Sequence, residues 1–70
     1  MKITKTIEKC GWNQYDIVDG VLCYNHENNL TLTLDIDYNH LEIYSFEDGD
    51  THYDGPIPTI EELEVLLRSL

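Results

Sequence analysis

Apolar and polar residues alternate most regularly from Leu30 to Phe46, LTLTLDIDYNHLEIYSF. Leu30, Leu32, Leu34 and Ile36 are interleaved with Thr31, Thr33, Asp35 and Asp37, the period of two expected of a half-buried strand. After Tyr38-Asn39-His40, a turn-like triplet, apolar residues return at Leu41 and Ile43, so a second strand is expected to fold back on the first. Closing the loop with Ile36 opposite Leu41 sets Leu34 against Ile43 and Leu32 against Ser45. One face is then apolar, and Asp35 stands opposite Glu42, a like-charge pair that opposes folding.

The remaining chain reads as further short strands and one helix. Lys2 to Lys9 carries Ile3 and Ile7 among threonines and lysines and reads as an edge strand, its charge discouraging unwanted pairing. Cys10-Gly11-Trp12-Asn13 reads as a turn or bulge. Trp12 would cover one end of the core, the alternative being an interface anchor at an open end. Asp19-Gly20 suits a type I′ hairpin turn, placing Val18 opposite Val21, Ile17 opposite Leu22, Asp16 opposite Cys23 and Tyr15 opposite Tyr24. Tyr15, Ile17, Leu22 and Tyr24 would then share the core face. A second Asp-Gly turn at Asp48-Gly49 lets Thr51-His52-Tyr53 pair back, with Phe46 opposite Thr51 and Tyr44 opposite Tyr53.

The prolines of Asp54-Gly55-Pro56-Ile57-Pro58 interrupt regular structure. Thr59 then serves as an N-cap with Glu62 completing a capping box, and Ile60, Leu63, Leu66, Leu67 and Leu70 form a stripe at helical spacing. That helix would run for roughly eleven residues, about 16 Å. The expected fold class is α+β: an antiparallel sheet of five or six short strands in hairpins, with one C-terminal helix packed on one face. Seventy residues make one small domain, residues 1–70, with marginal stability.

Charge narrows the class of partner. Fourteen Asp and Glu against four Lys and Arg leave a net charge of −10, which repels nucleic acid and anionic membrane. No stretch is apolar and long enough for a membrane span, the start of the chain lacks a signal-peptide pattern, and a cytoplasmic protein is the default expectation. In that compartment Cys10 and Cys23 read as reduced thiols, a bridge between them being the alternative.

Candidate chemistry is sparse. The chain has no glycine-rich phosphate loop, CxxC, HExxH or GxSxG, so no enzyme class and no cofactor is indicated. Asp35, Asp37 and Asn39 match the first ligand spacings of an EF-hand, but His40 falls where glycine is needed and Phe46 where glutamate is needed. Asp48, Asp50, His52 and Asp54 also alternate, leaving metal binding as a remote alternative.

A helix covering the leucine face leaves Thr31, Thr33, Asp35, Asp37, Glu42, Tyr44, Phe46 and Tyr53 on the other. Alternate strand residues stand about 6.6 Å apart, broadly like successive phosphates. Asp35, Asp37 and Glu42, extended by Glu47, Asp48 and Asp50, would imitate a nucleic-acid backbone, with Tyr44, Phe46 and Tyr53 as anchors. The expectation is a small acidic module that inhibits or modulates a basic, nucleic-acid-binding protein or nuclease, without binding nucleic acid or membrane itself. In kind, though in no particular residue, such a chain is similar to the products of phages and mobile elements that block host enzymes. The alternative is an assembly module that forms a homodimer or docks on a larger complex.

Overall fold

The computed structural model describes residues 1–70. Two helices and five strands follow in the order α1 (Lys2–Lys9), β1 (Asn13–Val18), β2 (Val21–His26), β3 (Leu30–Asp35), β4 (His40–Ser45), β5 (Thr51–Pro56) and α2 (Ile60–Arg68). The strands form one antiparallel meander in chain order. The α+β class and the antiparallel sheet are as expected; the second helix is not.

The segment read as an edge strand, Lys2–Lys9, is helix α1. Its apolar positions Ile3, Ile7 and Cys10 recur at i, i+4 and i+7, a helical stripe, and Ile7 is fully buried. Four of its eight residues are β-branched, which lowers helix propensity. Two of these, Thr4 and Thr6, turn their hydroxyls back on the carbonyls of Met1 (2.8 Å) and Lys2 (2.9 Å), as threonines do within helices. The helix ends in a Schellman arrangement. Gly11 N–H donates to the Glu8 carbonyl at 3.0 Å and Trp12 N–H to that of Ile7 at 3.3 Å, with Gly11 at φ +93°. Trp12 consequently drops into the core, 2% exposed, as the cover anticipated from the sequence.

Helix α2 starts at the expected cap. Thr59 Oγ1 accepts from Glu62 N–H at 3.2 Å, and the Glu62 carboxylate accepts from Thr59 N–H at 3.2 Å. Leu63 and Leu67 are buried, with Leu66 and Leu70 packed at the margin. Both helices cover the same face of the sheet, because Ile7, Trp12, Leu63 and Leu67 join Tyr24, Leu30, Leu32, Leu34, Leu41 and Ile43 in one core. Glu64 on α2 ties the helices together, accepting from Arg68 at 3.1 Å and from Lys9 of α1 at 3.5 Å.

Three hairpins depart from their expected registers. In β1–β2, Val18, Ile17 and Asp16 pair with Val21, Leu22 and Cys23 as anticipated, and Asp19 and Gly20 both take positive φ. A bulge at Tyr15 then sets Gln14, not Tyr15, opposite Tyr24. Tyr15 is therefore displaced from the core face and is 56% exposed; Ile17, opposite half-buried Leu22 on the helix side, is 57% exposed because the helices do not reach the edge strand.

In β3–β4 the register is shifted by two residues: Asp35 pairs with His40, Leu34 with Leu41, Thr33 with Glu42 and Leu32 with Ile43. The expected Asp35–Glu42 pair does not exist. A two-residue shift leaves every side chain on its face, so the hydrophobic pattern cannot choose between the registers. Turn chemistry chooses instead: Asp35 Oδ1 accepts from Tyr38 N–H at 3.3 Å, and Asn39 takes the left-handed φ of +52° next to β4. Ile36 thereby leaves the strand for the turn.

In β4–β5, Tyr44 pairs with Thr51, and a bulge at His52 puts Tyr53 opposite Ile43. Tyr53 thus lies on the core face, packed against the core with its hydroxyl donating to the Pro56 carbonyl, and not among the acids opposite. Phe46 belongs to the loop, its N–H donating to the Asn29 carbonyl at 3.0 Å.

Two stability measurements check this packing. A Cβ at Gly11 would meet His26 Nε2 at 3.1 Å as well as requiring left-handed backbone, so Gly11→Ala should cost about 1–2 kcal/mol in denaturant unfolding. The Tyr24 hydroxyl is enclosed without a hydrogen-bond partner, so Tyr24→Phe should gain about 1 kcal/mol.

Candidate functional site

Ten of the fourteen acids, and no Lys or Arg, lie between residues 10 and 59, the strands and their connections; the four cations and the other four acids lie on the helices. The helical segments are therefore neutral overall and the sheet with its loops carries the whole net charge of −10. No Lys or Arg forms an ion pair with a sheet acid, since Lys9 and Arg68 both bind Glu64. The lysines of α1 belong to the layer opposite the acidic face.

The face turned away from the helices is built from alternate residues of each strand. Across its middle, cross-strand neighbours run Asp16, Cys23, Thr33, Glu42 and Asp54. Glu42 and Asp54 stand directly opposite each other, so a like-charge pair does occur on this sheet, one strand further along than expected. Beside it His40 Nε2 lies 2.6 Å from Asp54 Oδ1. That contact is solvent-exposed and contributes little to stability.

The face is not flat and fully wet. Cys23 and Thr31 are buried on it, flanked by Tyr15 and half-buried Tyr44. Burial raises the Tyr15 phenol above its ordinary pKa, with Cys23, Tyr44 and Asp16 adding to the shift. Burial likewise raises the Cys23 thiol, helped by the Asp16 charge, so Cys23 stays protonated and is a weak nucleophile. Both cysteines are free thiols.

Of the nine residues expected to form a partner surface, Asp35, Glu42 and Tyr44 share this face. Asp37 sits in the β3–β4 turn, whereas Glu47, Asp48 and Asp50 occupy the β4–β5 loop with Phe46, at the far end of strands about 17 Å long. These acids form two clusters with Glu42 between them, not one continuous ladder. The loop is internally braced: Asp48 Oδ1 accepts from Asp50 N–H at 3.0 Å, and Glu47 accepts from Asn29 Nδ2 at 3.4 Å. Tyr53 is on the other side. Asp16, His40 and Asp54 belong to the face and were missed; the i, i+2 spacing of His40, Glu42 and Tyr44 was a readable signal for His40.

No group of three or more His, Cys, Asp or Glu side chains converges as metal ligands would, so neither acidic alternation assembles a site. No helix is long and apolar enough to cross a membrane.

The Glu42–Asp54 pair has a measurable cost. Glu42→Gln should raise stability by about 0.5 kcal/mol, or about 2–4 °C in Tm; wild type should gain more than the variant when salt is added, because screening relieves the same repulsion.

No protein-family model, curated protein or solved structure matches this chain.

Proposed function

We propose that this chain is a small acidic protein-binding module whose helix-free sheet face engages a basic, nucleic-acid-binding protein or nuclease and inhibits or modulates it, as a nucleic-acid mimic of the phage type. The observation that carries the reading is the segregation of charge: the sheet and loops hold all of the −10 and none of the cations. A surface of one sign steers a basic partner and repels nucleic acid. The opposed Glu42 and Asp54 carboxylates, a pairing that opposes folding, add to the negative charge this face offers a basic partner. On this reading Glu42, Asp54 and Asp16 supply the charge at the centre, Asp35 and the two loop clusters extend it, and Tyr44 and Phe46 provide apolar contact.

A second reading is favoured by one observation. Strand β1 is exposed along its whole length, with Tyr15, Ile17 and Val18 each more than half exposed. An apolar sheet edge with free backbone groups invites pairing with another chain. Sedimentation separates the two: a dimer that persists in high salt favours assembly through β1, whereas a monomer favours the acidic face.

The direct test is capture of partners from the native host by the wild-type chain and by Asp35→Lys/Glu42→Lys. Wild type should retain a basic protein at low salt and release it as salt rises, and the double variant should associate about tenfold or more slowly while keeping its fold by circular dichroism. Equal capture by a folded double variant would remove this face as the site.

A further inference from the structure

At the end of the open face where the β2–β3 turn meets the β4–β5 loop, the surface sinks into a cavity of about 500 Å³. Buried Thr31 lines it, with Asn25 and Asn13 beside it on successive strands, and Tyr15, Phe46 and Glu27 line it as well. We propose that this cavity receives one arginine side chain of the basic partner, an inference that rests on reading the open face as the binding surface.

Three properties of the cavity select a guanidinium. Thr31 is only 4% exposed and lines the cavity, yet its hydroxyl bonds to no group of the chain. The Asn13 and Asn25 amides lining it are likewise unbonded, so several oxygens lie open to a donor-rich group. Secondly, Phe46 is 75% and Tyr15 56% exposed. Two aromatic rings among polar lining groups suit a planar cation that stacks on a ring face while donating from its edge. Thirdly, Glu27 is the one carboxylate among the lining residues, and no Lys or Arg lies anywhere on the sheet. An anion is therefore repelled. An ammonium group meets the charge but lacks the planar fork of five donors that reaches several acceptors at once.

The occupant is testable without knowing the partner. The isotope-labelled full chain is titrated by NMR with N-acetyl-arginine-N-methylamide, the matching lysine derivative and the uncharged citrulline derivative, which keeps the shape of arginine. The arginine derivative should bind in the millimolar range, shifting the amide signals of Asn25, Thr31 and Phe46 first. Citrulline should bind at least about tenfold more weakly, and Phe46→Ala, which removes an exposed ring, should weaken arginine about two- to fivefold. Equal binding of citrulline, stronger binding of lysine, or shifts absent from these three residues would each overturn the proposal. The two readings fail separately. Loss of partner capture in Asp35→Lys/Glu42→Lys without an arginine response at the cavity leaves the face and removes the cavity. A cavity response with unchanged capture retains an arginine site and removes the face as the binding surface.

Discussion

Everything in this domain depends on a single apolar layer between sheet and helices. Leu32 and Leu34 from β3, Leu41 and Ile43 from β4, and Tyr24 from β2 meet Ile7, Trp12, Leu63 and Leu67 across it. Burying each large side chain contributes about 1.5–3 kcal/mol, against an ordering cost nearly as large in a chain this short. The layer has no residue to spare, and its demand for cover explains both helices. Helix α1 has only eight residues, too few to be stable alone in water, so burial of Ile7 and Trp12 must hold it.

That same economy divides the molecule chemically. One face of the sheet is committed to the core, and the cations reside on the two helices that cover it. The acids of the strands and turns are left on the other layer without Lys or Arg neighbours, with His40 beside Asp54 and local hydrogen bonds bracing the turns. The charge asymmetry thus follows from the layering, and it gives the open face a sign that the average composition only hints at.

Much of this fold was legible locally. The Asp19-Gly20 turn, the leucine alternation and the Thr59–Glu62 capping box each have a mechanism spanning a few residues, and each stands where it was expected. The candidate site was only partly legible. Asp35, Glu42 and Tyr44 share the open face because strand parity survives a two-residue slip. Tyr53 does not, because a bulge at His52 reverses parity, and nothing in Thr51-His52-Tyr53 announces a bulge. Asp37 and Phe46 fell outside the strands once turn residues set the hairpin ends.

By itself, then, the sequence determined the existence of the sheet, the identity of its apolar face, the C-terminal helix and the total charge, since these depend on periodicity, capping and composition. Tertiary structure decided the rest. Whether Lys2–Lys9 became strand or helix turned on which form could bury Ile7 against the sheet, because a segment with four β-branched residues has no firm preference of its own. Which carboxylates oppose each other turned on registers that differ by two residues and look alike to the hydrophobic pattern. The turn closed by Asp35 and Asn39 sets Thr33, not Asp35, beside Glu42 on one side, and the β4–β5 register with its bulge at His52 sets Asp54 beside it on the other.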